Sequence, residues 1–286
     1  MKATTWTLAL IIAGLFTACE DVIELEVPEG EPLIVINGRI TDSDSTGIVL
    51  MATAPYFSNT ALPKISGANV RLFENNELVG ELKEDSAGYY RLDYRGVVGN
   101  VYHIRVEVPD GNPWLPGGVW QSLGEELRRI PEIDSVFSQY RENRPPFLDG
   151  IYPYFMFNDP VGEGDRYRLR LWRNDSLLTR PQELTTYEDR FWDGRSFDNI
   201  DLPAPQISGT PFPAGTTFRI EKSSISKRYF DYLELLFQQT VQVGSTFDPP
   251  PAPLLGNIKC VSDPNRISMG YFNASAIRIA GLELKE

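Results

Sequence analysis

The run Tyr102-His103-Ile104-Arg105-Val106-Glu107-Val108 alternates apolar and polar side chains without a break. A period of two places Tyr102, Ile104, Val106 and Val108 on one face of an extended strand, whereas a helix would need its apolar residues every three to four positions. A strand of this kind must have one face covered, so it commits the chain around it to a sheet. Leu33 to Ile40, Ile48 to Ala54, Val70 to Phe73, Leu78 to Leu82 and Tyr89 to Leu92 are runs of the same type, separated by turn residues such as Asn75-Asn76. Short strands at this spacing predict an Ig-like antiparallel β-sandwich over residues 32–112.

Gly111-Asn112-Pro113 and Pro116-Gly117-Gly118 then break the pattern and predict a junction, with a second, β-rich domain over residues 113–286. Its strand material lies at Ile133 to Tyr140, Ile151 to Phe157, Arg166 to Trp172, Thr216 to Glu221 and the closing residues Ile277 to Leu284. In the third of these, Tyr167, Leu169 and Leu171 share one face and Arg166, Arg168 and Arg170 the other. Acidic side chains across the sheet are the expected partners of those arginines. One amphipathic helix is predicted near residues 225–243. Tyr229, Leu233, Leu236 and Phe237 recur at helical spacing there, and Ser224 is placed to cap it.

The chain has only two cysteines, Cys19 and Cys260. Cys19 follows Met1-Lys2, an apolar run from Trp6 to Phe16, and the small residues Thr17 and Ala18. That run is too short to span a bilayer and reads as a cleaved signal over residues 1–18. Phe16-Thr17-Ala18-Cys19 resembles a bacterial lipobox, which predicts acylation of the Cys19 sulfur. Each buried methylene of such a lipid contributes roughly 0.8 kcal/mol, so two chains hold a protein on its membrane. With Cys19 acylated no intrachain disulfide can form, and Cys260 reads as a small buried hydrophobe.

Glu20, Asp21, Glu24, Glu26, Glu29 and Glu31 follow with no Lys or Arg before Arg39. Residues 19–31 therefore read as a self-repelling acidic tether. Glu20, Asp21 and Glu24 resemble the sorting signal that carries lipoproteins to the exterior face of the outer membrane. The whole chain has a formal net charge of −12, which argues against nucleic acid as a partner, since phosphate binding needs a basic footprint.

No catalytic motif is found. His103 is the only histidine, and it lies out of phase with the apolar face of its own strand, which removes His-based triads and His-rich zinc sites. Gly162-Glu163-Gly164 lacks the context of a phosphate loop. Asp42-Ser43-Asp44-Ser45-Thr46-Gly47 looks like the first half of a calcium loop, but Thr53 stands where the bidentate glutamate belongs, and a strand-connecting turn explains it more simply. No catalytic residue, metal or cofactor is predicted. The segment Tyr187 to Phe197 mixes aromatic and arginine residues, the usual anchors of contact surfaces. Phe191, Trp192 and Arg195 are its candidates for partner contact; packing of the same aromatics on their own domain is the alternative.

Several motifs occur together in order. They are the lipobox, Leu33 to Gly38, Gly88-Tyr89-Tyr90, Asn158-Asp159-Pro160 before Tyr167-Arg168, and Asp189-Arg190-Phe191-Trp192-Asp193-Gly194. The helix with Tyr229 and Tyr232 follows, then Gly256-Asn257-Ile258 and Gly270-Tyr271-Phe272-Asn273-Ala274-Ser275. Over nearly the whole mature chain this is similar to the Bacteroidota lipoprotein family catalogued as domain of unknown function 4249. The resemblance implies an outer-membrane lipoprotein acting beside a TonB-dependent barrel receptor, and it implies no catalytic residue. The expected function is thus a non-catalytic, surface-exposed accessory of such a transporter, capturing substrate or forming a lid. A structural or adhesive subunit of the cell surface or of an outer-membrane assembly complex, and a lipid-anchored hydrolase, are the alternatives.

Overall fold

The alternating run at Tyr102 becomes a strand with all four of its predicted inward residues buried. The computed structural model describes residues 30–55, 58, 60–142, 149–191, 193–196, 212–241 and 254–285. The expected signal and all but the last two residues of the acidic tether, with Cys19, Glu20, Asp21 and Glu24, lie outside the described residues.

The larger sheet has eleven strands. From the amino-terminal part come β1 (Ile34–Thr41), β2 (Thr46–Ala52), β3 (Asn69–Glu74), β4 (Glu77–Ser86), β5 (Tyr89–Leu92) and β6 (Val101–Val108). Beyond them lie β7 (Gly118–Ser122) and β8 (Glu125–Glu126), and three more strands come from the far end of the chain. The β3–β4 hairpin turns through Asn75 and Asn76, at φ 51° and 70°, which gives the primed turn that suits the twist of paired strands. Strand β4 pairs with β3 through its first half, as far as Leu82 opposite Val70, and with β5 through its second, from Lys83 opposite Arg91, with one register shift inside each pairing.

The predicted boundary at residues 112/113 is corrected by the strand pairing. Pro32–Glu286 is one compact unit. Strand β15 (Ile258–Cys260) pairs antiparallel with β7, while β16 (Ser268–Met269) and β17 (Phe272–Ser275) pair parallel with β1. The Ser268 hydroxyl donates to the Ile258 carbonyl at 3.0 Å, which joins the two ends of the strand order. The physical reason is edge protection. Residues 32–112 alone would leave the edges of β1 and β6 unpaired, and the carboxy-terminal strands together with β7 cover them. The predicted class, mainly β with sandwich-like packing, is what the described residues adopt, with one α-helix among them, but the sandwich draws on both ends of the sequence.

Two glycines permit that closure. A Cβ on Gly256 would lie 1.5 Å from the Gly270 carbonyl oxygen. Gly270 sits at φ +92°, and a Cβ there would meet the Ile36 oxygen at 2.3 Å.

The second sheet places β11 (Arg166–Arg173) between β14 (Thr217–Ser224) on one side and β12 (Ser176–Leu177) with β13 (Thr185–Glu188) on the other. Strand β18 (Ile277–Glu283) extends it beyond β14. A hairpin of β9 (Ser135–Arg141) and β10 (Gly150–Met156) lies apart from both sheets in its pairing. One continuous apolar core runs from Ile34 to Leu284 and includes residues of every sheet.

Helix α1 (Lys227–Val241) has its own smaller core, in which Tyr229 and Leu233 are buried with Ile225 and Tyr271. Its cap is Ser226, whose hydroxyl accepts from the Tyr229 amide at 3.1 Å. This corrects Ser224, which ends β14 instead. There its hydroxyl donates to the Arg128 carbonyl and accepts from the Ala276 amide.

Candidate functional site

Strands β1, β11 and β14, the segment Leu177 to Leu184 and the inner face of α1 enclose an open groove of about 800 Å³. Small-molecule sites are commonly clefts of roughly 300–1,000 Å³. The groove follows from the period-two pattern of β11. Tyr167, Leu169 and Leu171 are buried in the core, so Arg168 and Arg170 must project from the opposite face, toward α1.

Four arginines line the groove (Arg39, Arg168, Arg170 and Arg180) against two glutamates, Glu183 and Glu221. Glu221 is buried and shares Oε1 between Arg39 at 2.9 Å and Arg170 at 3.2 Å. Arg39 also reaches the exposed Asp44, at 3.3 Å. Glu183 accepts from Arg180 Nε at 2.6 Å. Burial holds the Arg170 guanidinium below its ordinary pKa, with Arg39 and Arg168 adding repulsion and Glu221 opposing both.

The acids expected across the sheet from the β11 arginines meet two of the three. Arg166 pairs in register with Glu188 and binds it, and Arg170 pairs with Glu221. Arg168 faces Thr186 on one side and Ser223 on the other. Its guanidinium turns to the helix instead, where Nη1 donates to the Tyr229 hydroxyl at 2.7 Å.

Behind the groove stands a cluster of tyrosines. The rings of Tyr229 and Tyr271 are 4.5 Å apart, and Tyr232 lies 5.1 Å from Tyr271. Burial pushes the Tyr232 phenol up to about 12 and raises that of Tyr271 as well, so both remain protonated donors at neutral pH. The Tyr271 hydroxyl donates to buried Glu125, which also receives Arg228 at 3.1 Å and Asn257 at 3.2 Å. Apolar Leu177, Leu178, Leu184, Leu233 and Leu236 complete the walls.

The loop predicted to touch a partner lies elsewhere on the surface. Phe191 is 74% exposed, with Arg190 over its ring, and Arg195 is exposed. Trp192 lies outside the described residues. Beside Gly194 of this loop stands Val161, 84% exposed. Exposure of Phe191 disagrees with packing of that ring on its own domain.

Three carboxylates beneath the loop, those of Asp159, Asp189 and Asp193, approach within 4.8 Å of one another. They hold the loops together: Asp189 accepts from the amides of Gly164 and Asp165, Asp193 from Gly162, and Asp159 from the Tyr167 hydroxyl. Burial raises the Asp159 carboxyl above its ordinary pKa. It does the same for nearby Asp165, to which Asp189 adds repulsion. Sequence reading missed this cluster because its members come from two loops joined only by the fold.

The predicted calcium-like turn binds its own neighbours, as Asp42 accepts from the Ile277 amide and from Arg278. His103 stacks on Phe73 at 4.7 Å and is half-buried.

The distribution of these features along the chain agrees with a family match. A model of the family described as domain of unknown function DUF4249 matches residues 20–278. The chain belongs to this family. The DUF4249 match takes in every groove-lining residue, the exposed loop and both closing glycines. No curated protein matches the sequence.

Proposed function

We propose that the protein is a non-catalytic accessory of a TonB-dependent barrel receptor. It is tethered to the outer membrane through acylated Cys19, faces the cell exterior, and captures a ligand in the groove between α1 and the sheets. The observation that carries this reading is the groove itself. It combines an open mouth, apolar walls and a guanidinium held by a phenol, and this equips it to hold a ligand. The lipobox-like segment before Cys19 and the acidic residues Glu20, Asp21 and Glu24 support the tether and its outward sorting. Exposed Phe191 and Arg195, of the residue types that anchor contact surfaces, give the barrel a place to dock. None of the described helices is long and apolar enough to cross a membrane, and the reading needs none.

The test is affinity purification of the tagged full chain from its host's membranes in mild detergent, with its partners identified by mass spectrometry. A TonB-dependent barrel enriched with the chain is expected. Recovery of the chain alone, or only with assembly-complex subunits, contradicts the proposal and favours the architectural alternative.

A further inference from the structure

Arg168 is set apart from its neighbours by the company it keeps. The three outward arginines of β11 stand two residues apart, and the flanking two each bind a glutamate at a register position. The carboxylates around Arg168 are already engaged: Glu221 by Arg39 and Arg170, Glu183 by Arg180, and Glu234 of the helix by the Thr186 hydroxyl. Among the described residues no carboxylate lies within ion-pair distance of Arg168, and its polar contact is the Tyr229 hydroxyl, which it reaches as a donor. Because that oxygen accepts from Arg168, the Tyr229 hydroxyl proton is left to donate, and among the described contacts it donates to nothing. Both residues line the groove, so the remaining guanidinium N–H groups and one O–H are donors there with no acceptor among the described residues.

The charge balance narrows the class of acceptor. The groove lining is net positive inside a chain of net charge −12. A polyanion would be repelled by the protein as a whole and would meet Glu183 and Glu221 as it settled, whereas a single carboxylate matches one guanidinium fork and one hydroxyl. Around these donors, Tyr232, Leu233 and Leu236 of the helix and Leu178 and Leu184 opposite offer an apolar surface.

We propose that the groove binds a small organic acid. Its carboxylate is held by Arg168 and Tyr229, and its apolar body lies against Tyr232 and Leu236. This rests on the reading of the groove as a capture site and names the chemical class captured.

The experiment is titration of the purified full chain in mild detergent, folded and without any barrel, followed by calorimetry and NMR. The probes are 3-phenylpropionate, its neutral amide, acetate and inorganic phosphate. Saturable binding of 3-phenylpropionate is expected, with the amide and the Arg168→Gln variant each weaker by about tenfold or more. Arg168→Lys, which keeps the charge and loses the fork, should fall between. Acetate, lacking the body, should bind more weakly than 3-phenylpropionate.

No saturable binding of 3-phenylpropionate, equal binding of its amide, or undiminished binding by a folded Arg168→Gln chain would overturn the proposal. Displacement of the acid by equimolar phosphate would also overturn it, in favour of a phosphate-bearing ligand. Should Arg168→Gln fail to fold, Tyr229→Phe keeps the ring and removes the donor. It must weaken the acid more than the amide, and equal loss for both is contrary to the assignment. A chain that recovers a barrel in detergent yet ignores the acid loses only this ligand class. A chain that binds the acid yet recovers no barrel loses only the transporter partnership.

Discussion

The Tyr271 hydroxyl donates to Glu125 Oε1 at 2.7 Å, and both side chains are at least 97% buried. Through this contact the closing strand region, the short β8 strand and helix α1 meet, since Arg228 and Asn257 donate to the same oxygen. Tyr271→Phe removes one donor and should cost about 1–2 kcal/mol in urea unfolding. Glu125→Ala takes this acceptor from the buried Tyr271 hydroxyl and leaves Asn257 Nδ2 with the Phe272 carbonyl alone, and should cost about 3 kcal/mol. Arg228→Ala, at a half-exposed side chain, should cost under about 1 kcal/mol. A Tyr271→Phe chain as stable as the parent would show that the contact adds nothing.

Gly256→Ala is expected to prevent closure of the large sheet, because the new methyl would overlap the backbone of Gly270. We expect a loss of more than about 4 kcal/mol, seen as insoluble protein or a collapsed melting transition. Gly47→Ala meets nothing within 4 Å and serves as the control, with an effect within about 1 kcal/mol. Equal melting temperatures for the two variants would contradict the closure geometry.

Lys222 is fully buried, with its ammonium 3.6 Å from the centre of the Phe157 ring and 3.2 Å from the Glu132 carbonyl. Burial pushes its pKa down to about 7, although Asp134, Asp159 and Glu132 pull it upward. Between that value and the ordinary 10.5 the unfolded chain binds the extra proton, so stability rises with pH across this window. The penalty is fully felt below about 7. Lys222→Met should therefore be more stabilising at pH 6 than at pH 10, by on the order of a few kcal/mol. Denaturant midpoints of both chains across this range provide the check, and a difference independent of pH would contradict it.

Phe191→Asp should leave stability within about 0.5 kcal/mol, because the ring is exposed, while weakening recovery of the proposed barrel partner. Thermal melting and detergent pull-down run side by side measure the two effects. Undiminished recovery would move the docking surface away from this loop.

Local pattern made much of this fold readable. The alternation in β6 and β11 and the helical spacing of Tyr229 and Leu233 survive into the structure with the same residues inside. The domain boundary at 112/113 failed because Gly and Pro clusters mark turns, whereas a domain is defined by pairing. The partner strands of β1 and β7 lie more than a hundred residues away in sequence. The helix cap failed by two residues because Ser224 and Ser226 are chemically alike, and only the length of β14 distinguishes them. The groove was hidden for a related reason. Arg166, Arg168 and Arg170 read alike in sequence, and Arg168 stands out only once the register shows Thr186 and Ser223 beside it. A three-arginine strand face followed by a tyrosine-bearing helix was the available signal.

Native mass spectrometry of the chain extracted from its host in mild detergent tests the account most directly. The predicted species begins at Cys19, carries the mass of a thioether-linked diacylglyceryl group and remains bound to a barrel receptor. A chain that retains residues 1–18, or has an unmodified Cys19, and that flies without a barrel would contradict it.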